Sequence, residues 1–150
     1  YEAGEALRFD EVSIRAGVRG VLQVMIELGM RPRSKRPRKV ESMVANTSRW
    51  VRAGQSGILR SLVGTGTKVQ EGDLLAYINN PLGENTEELM SPIAGIIIGK
   101  TNLPLVFAGE ALFNIASYEA IDQVANNIDA YNDELDPSTD ERLSDEPPLV

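Results

Sequence analysis

The chain has 150 residues, with 15 Lys+Arg against 22 Asp+Glu and neither Cys nor His, a length that at roughly 100–200 residues per domain allows one domain, or one domain with a piece of another. Without Cys there is no disulfide, thiolate nucleophile or Cys-rich zinc site, and without His there is no imidazole base, Ser-His-Asp triad or His metal ligand. The net charge of −7 belongs to the end of the chain, because residues 119–150 hold ten acidic residues and one basic one while the other 118 hold 14 basic and 12 acidic.

In chain order, residues 10–30 are expected to form an amphipathic helix. Asp10 suits the N-cap, since its carboxylate can accept from the first free amides. Ile14, Val18, Val21, Leu22 and Met25 fall on one face at helical spacing, and Arg15, Arg19, Gln23 and Glu27 follow each other on the other. Gly29 suits the position after the C-cap, and Pro32 prevents continuation. Gly17 and Gly20 each cost a helix about 1 kcal/mol against Ala, so close contact with a neighbouring element is their expected compensation. Such a helix needs a surface to pack on. Packing on the β region or self-association, hence a homo-oligomer, is the expected outcome.

Residues 31–39, RPRSKRPRK, hold six basic residues and two prolines. They are read as an exposed linker, not a nucleic-acid patch, because no aromatic residue is interleaved for stacking and Pro breaks helical presentation. No apolar run approaches the ~20 residues that span a bilayer. No basic segment followed by an apolar stretch opens the chain, so neither a leader peptide nor a membrane partner is expected. The lack of Cys is compatible with a cytoplasmic protein. An opening at Tyr1 suggests a piece of something longer.

From residue 40 to 117 short apolar runs alternate with glycine turns, the pattern of short strands: Ser48–Ala53, Gly57–Leu62, Leu74–Ile78, Gly95–Lys100 and Leu112–Ile115. The region repeats itself. Gly57-Ile58-Leu59 matches Gly95-Ile96-Ile97 at an offset of 38, and the run from Val69 to Ile78 matches the run from Val106 to Ile115 at an offset of 37. Each half reads strand, turn, Val-x-x-Gly-Asp/Glu, strand, with the glycine suited to positive φ and the acid to bonding local amides. Two such halves can close a small symmetric β sandwich. Residues 117–135 are expected to form a second helix with Ser117 as N-cap and a stripe of Ile121, Val124, Ala125, Ile128, Tyr131 and Leu135. The acidic, Pro-containing segment 137–150 lacks the apolar content to fold and is read as a disordered tail.

The doubled pattern resembles the barrel-sandwich hybrid of biotinyl and lipoyl carrier domains. Those domains carry a modified Lys on the hairpin between the halves, which here is Asn79 to Met90 and holds no Lys. Lys68 and Lys100 lie elsewhere in the repeat. The resemblance therefore implies the fold without the swinging arm.

The segment Tyr1-Glu2-Ala3-Gly4-Glu5-Ala6-Leu7-Arg8, followed by the helix and Leu28-Gly29-Met30, resembles the last catalytic motif of the succinylglutamate desuccinylase/aspartoacylase family. These are zinc hydrolases related to zinc carboxypeptidases, in which a Glu-x-Gly strand, a helix ending in Leu-Gly and a small β domain follow in that order. The resemblance implies a mainly β fold, a barrel-sandwich hybrid of two similar halves at 40–117. It implies an N-terminal helix left from an α/β catalytic domain (1–32), a linker (33–39), a C-terminal helix (118–136) and a tail (137–150). Glu2 matches the family's catalytic glutamate, a carboxylate that takes a proton from the attacking water and returns it to the leaving amine, and Gly4 would leave room beside it. Glu5 competes for that assignment, but Glu2 holds the Glu-x-Gly position. The family's zinc ligands, a His-x-x-Glu pair and a later His, would lie upstream. The resemblance thus implies the C-terminal fragment, inactive by itself and holding no metal, of a zinc-dependent enzyme that hydrolyses an N-acyl amino acid or similar small amide. The alternative is a non-enzymatic barrel-sandwich interaction or adaptor module.

Overall fold

The structure, a computed structural model, describes residues 1–32, 43–83 and 85–136, without the side chain of Glu134. The expected linker at 33–39 and tail at 137–150 lie outside the described residues. The chain divides into two compact units, Ser42–Ile128 and Tyr1–Glu41 with Asp129–Val150.

In the first unit, alternating apolar residues between glycine turns form eight strands: β1 (Thr47–Arg52), β2 (Gly57–Ser61), β3 (Lys68–Val69), β4 (Leu74–Asn79), β5 (Thr86–Met90), β6 (Gly95–Lys100), β7 (Leu105–Val106) and β8 (Ala111–Ser117). They make two four-stranded antiparallel sheets, ordered β1-β8-β6-β3 and β5-β4-β2-β7. Advancing every strand of the first order by four, and wrapping past eight, produces the second. The sequence repeat is therefore a pseudo-twofold relation between the sheets, and each sheet takes two strands from each half.

The pairing repeats in detail. Leu59 N donates to Pro104 O at 2.7 Å, and Ile97 N donates to Thr67 O at 3.0 Å. The Val-x-x-Gly-Asp/Glu turns are built alike. Gly72 has φ +87° and Gly109 φ +86°, a region open mainly to glycine. Gln70 N donates to Asp73 Oδ2 at 2.7 Å, and Phe107 N donates to Glu110 Oε2 at 2.9 Å. The two offsets are reconciled between β2 and β3, where the chain takes one residue more from Gly57 to Lys68 than from Gly95 to Leu105.

The core lies between the sheets and follows the same relation, pairing Leu75 with Leu112, Ile78 with Ile115, Val69 with Val106 and Leu59 with Ile97, all buried. Phe113, fully buried, stands where the other half has Ala76. Gly57 and Gly95 lie against the neighbouring strand so closely that a Cβ would sit 2.4 Å from Asn79 O or Ala116 O.

The structure adds to the expected elements and corrects some of them. Residues 79–90 do form a hairpin, but its second arm is a strand that the expected set lacks: β4 runs to Asn79 and pairs antiparallel with Thr86–Met90, the edge strand β5, in which only Leu89 is buried. Its two glutamates belong to an edge, where charge discourages further pairing. Ser117 is the last residue of β8, paired with Thr47, and does not cap a helix. The second helix, α2, spans Ile121–Leu135 and opens with Val124 N donating to Ala120 O. The two-residue strands β3 and β7 were not expected at all.

In the other unit the first helix, α1, spans Glu11–Glu27, shorter than 10–30. Gly29 follows its C-cap Leu28 with φ +73°. Among the described residues no helix is long and apolar enough to cross a membrane.

Candidate functional site

The segment before α1 is held by local bonds. The Asp10 carboxylate accepts from Val12 N at 3.1 Å, Ser13 N at 3.4 Å and Ser13 Oγ at 2.7 Å, which is the expected N-cap. The Ser13 hydroxyl, then its amide, hold that carboxyl below its usual range. Upstream the chain folds back over the helix. Tyr1 Oη donates to Ser13 O at 2.7 Å, and the Tyr1 ring lies on Gly17, where a Cβ would be 2.7 Å from Tyr1 Cε1. Gly17 thus has the close contact expected of it, whereas nothing lies within 4 Å of a Cβ at Gly20. Gly4, at φ +78°, passes the Asp10 and Ser13 side chains. Leu7, at φ +63°, is the one non-glycine residue with positive φ among those described, at a turn where Arg8 N donates to Glu5 O.

Between this segment and α1 runs an open groove of about 500 Å³, lined mainly by Tyr1, Gly4, Phe9, Ile14, Val18 and Val21. No residue of α1 is buried, and Ile14, Val18 and Val21 are 42–59% exposed, so the described residues cover the apolar face read from the sequence only in part.

The two candidate carboxylates are separated by their surroundings. Glu5 is held by Arg8, 3.5 Å from its Nε. Glu2 is exposed and does not line the groove, although its neighbours Tyr1, Ala3 and Gly4 do. A solvated carboxylate can accept a proton from water but cannot by itself assemble a reacting centre. Among the described residues no group of three or more His, Cys, Asp or Glu could hold a metal ion.

The connection between β4 and β5 carries no lysine. It carries a network of amides not singled out from the sequence: Gln55 Nε2 donates to Ile78 O at 2.9 Å, Asn85 Nδ2 to Gln55 Oε1 at 3.0 Å, and Thr86 Oγ1 to Asn79 Oδ1 at 2.7 Å. The crowding of Asn and Gln at 55, 79, 80 and 85 was the available signal. Lys68 sits on β3 paired with Asp122, and Lys100 ends β6. Neither lies on the connection between β4 and β5.

No family model matches the chain, and no curated protein sequence matches it. Solved structures do. The chain is similar to a succinylglutamate desuccinylase/aspartoacylase family protein from Shewanella amazonensis, with 20% identity and a TM-score of 0.60 over 77% of this chain and 33% of that one. It is similar to a succinylglutamate desuccinylase/aspartoacylase from Rhodobacter sphaeroides, with 20% identity and a TM-score of 0.59 over 74% and 37%. It is also similar to the product-bound ectoine utilization protein EutE (DoeB) from Ruegeria pomeroyi, with 20% identity and a TM-score of 0.54 over 66% and 31%. At this identity the likeness is one of fold, and the chain spans about a third of the length of these proteins.

Proposed function

We propose that this chain is the C-terminal part of a zinc-dependent hydrolase of the succinylglutamate desuccinylase/aspartoacylase family, cleaving the amide bond of an N-acyl amino acid or a similar small amide. The observation that carries this reading is the structural likeness over up to 77% of the chain to about a third of proteins bearing that family's name. It is joined by the order of Glu-x-Gly segment, helix and β unit. In this reading residues 1–32 close the catalytic domain, 33–39 link it to a barrel-sandwich hybrid at 40–117, and 118–136 and 137–150 are an added helix and tail. The interleaving of two equivalent sheets supports the hybrid. The absence of cysteine suits a reducing compartment, and the parent is assigned to the cytoplasm.

The residues of this chain do not suit a zinc site, having no His or Cys and no acidic group of three among those described. The metal is therefore assigned to the upstream part, and the fragment alone is inactive. What this chain contributes is Glu2, a carboxylate that takes a proton from the attacking water and delivers it to the leaving amine. Gly4 leaves the approach open, and Tyr1 and Asp10 fix the segment against α1. The carboxylate's exposure agrees with a residue whose working surroundings come from elsewhere.

The test is to express the protein from its complete upstream reading frame and assay release of free amine from a panel of N-acyl amino acids, before and after chelation. Hydrolysis lost with the metal and restored by zinc is expected. A complete protein lacking upstream His-x-x-Glu and His, and inactive on the panel, overturns the reading.

A further inference from the structure

Glu2 is placed by its neighbours. Its carboxylate has no hydrogen-bond or ion-pair partner among the described residues, so nothing on its own side chain fixes it. The chain on either side of it is fixed, both times against the start of α1. Before it, Tyr1 Oη donates to Ser13 O at 2.7 Å and the Tyr1 ring lies on Gly17. After it, Gly4 turns at φ +78°, where a Cβ would lie 3.6 Å from Asp10 Cβ and 3.8 Å from Ser13 Oγ. Tyr1, Ala3 and Gly4 line the groove along α1 and Glu2 does not, so its side chain is turned to the other side of the segment.

Gly17 sets how closely the first of these points approaches the helix. Ser13 O and Gly17 belong to one helical turn, and Tyr1 spans both. A Cβ at Gly17 would stand 2.7 Å from Tyr1 Cε1 and 3.1 Å from Cδ1, where ordinary contacts begin near 3.4 Å. The ring cannot swing aside without giving up the bond to Ser13 O. Tyr1 must then lift from α1 by about 0.7 Å, and Glu2, the next residue, moves with it. Gly20 of the same helix supplies the comparison, since no atom lies within 4 Å of a Cβ there. Both glycines weaken a helix relative to Ala, but only at Gly17 does a contact require the absence of a side chain.

We infer, on the role proposed above for Glu2, that Gly17 is its positioning residue. Gly17 has no group that could touch a substrate. By admitting the Tyr1 ring it fixes the height of the segment that carries the carboxylate. Proton transfer needs that carboxylate within hydrogen-bond reach of the attacking water, and a misplacement of about 1 Å costs as much as about 10²-fold in rate.

The test compares Gly17→Ala with Gly20→Ala in the protein expressed from its complete reading frame, by steady-state kinetics on N-acyl amino acids and by thermal denaturation. Gly20→Ala should leave kcat and KM as they are. Gly17→Ala should lower kcat roughly 10–100-fold, with KM and melting temperature near those of the unaltered protein. Adding Tyr1→Leu to Gly17→Ala removes the overlap, so the pair should lose less than the two single changes together. If Gly17→Ala does not fold, Tyr1→Phe, which keeps the ring and removes the bond to Ser13 O, carries the test with the same fall in kcat. The chain by itself gives a readout that needs no activity: NMR cross-relaxation between the Tyr1 ring protons and the Gly17 α protons. Its absence overturns the inference. So does a Gly17→Ala protein as active as Gly20→Ala, or one in which KM rises while kcat holds. An unaltered protein inactive on every N-acyl amino acid is a different failure, because it removes the role of Glu2 itself and the inference with it.

Discussion

Gly57→Ala and Gly95→Ala probe the relation between the two sheets at matched points. A Cβ at Gly95 would sit 2.4 Å from Ala116 O and 2.7 Å from Ile115 Cγ2, and one at Gly57 would sit 2.4 Å from Asn79 O and 3.0 Å from Ile78 Cγ2. Ordinary contacts begin near 3.4 Å. The obstacle in each case is a neighbouring strand's carbonyl, which cannot turn aside as a flexible side chain would, so strand or carbonyl must move by roughly 1 Å in a close-packed interior. Overpacking of this kind costs about 1–3 kcal/mol. In a domain of this size each kcal/mol is worth roughly 4–8 °C in melting temperature, so thermal denaturation should show a fall of roughly 5–20 °C for either variant. Gly95→Ala should fall at least as far as Gly57→Ala. A fall of less than about 2 °C for both would show that the strands do not approach as closely as the repeat requires.

Other outcomes follow from the N-terminal unit. Gly20→Ala should raise hydrogen-exchange protection of α1 amides by about 1 kcal/mol. Gly17→Ala should raise it less and displace the Tyr1 ring in NMR spectra, and equal gains would contradict the contact. The Asp10 carboxyl is held below its usual pKa by the Ser13 hydroxyl and amide, so its contribution to α1 is full above the unfolded value and lost as pH falls through the lower folded value. Helicity by circular dichroism should therefore drop below about pH 4, with Asp10→Asn removing that step while keeping the cap. Titration calorimetry of this chain with zinc should show no stoichiometric sub-micromolar binding, and such binding would disprove the assignment of the metal to upstream residues.

The β unit was legible where sequence and structure share a period. Val69 and Val106, Gly72 and Gly109, Leu75 and Leu112 stand at one offset because each pair occupies equivalent positions in the two sheets. The interleaving was not legible, since nothing local says that β1 leaves its own half to pair with β8. Strand β5 was hidden because Thr86-Glu87-Glu88-Leu89-Met90 buries a single residue at a sheet edge, and β3 and β7 are too short to show alternation. Ser117 looked like a cap because a hydroxyl precedes an apolar stripe, but its place in the pairing with Thr47 decides. Around α1, Asp10 and Gly29 were readable from chemistry alone. The return of Tyr1 onto Gly17 was not, because it depends on a contact 16 positions away. The family named from the order of Glu-x-Gly segment, helix and β region is the one whose name the structural neighbours bear, and the likeness to them is one of fold. The role proposed for Glu2 rests on groups outside these residues, which this sequence does not contain.

The most direct test of the central reading is the steady-state kinetics of Glu2→Gln in the protein expressed from its complete reading frame. A carboxylate that moves the proton during hydrolysis contributes about 10²–10⁴-fold, so kcat should fall by that factor while KM and zinc content stay near those of the unaltered protein. An unchanged kcat, or one that falls as far in Glu5→Gln as in Glu2→Gln, would contradict the assignment.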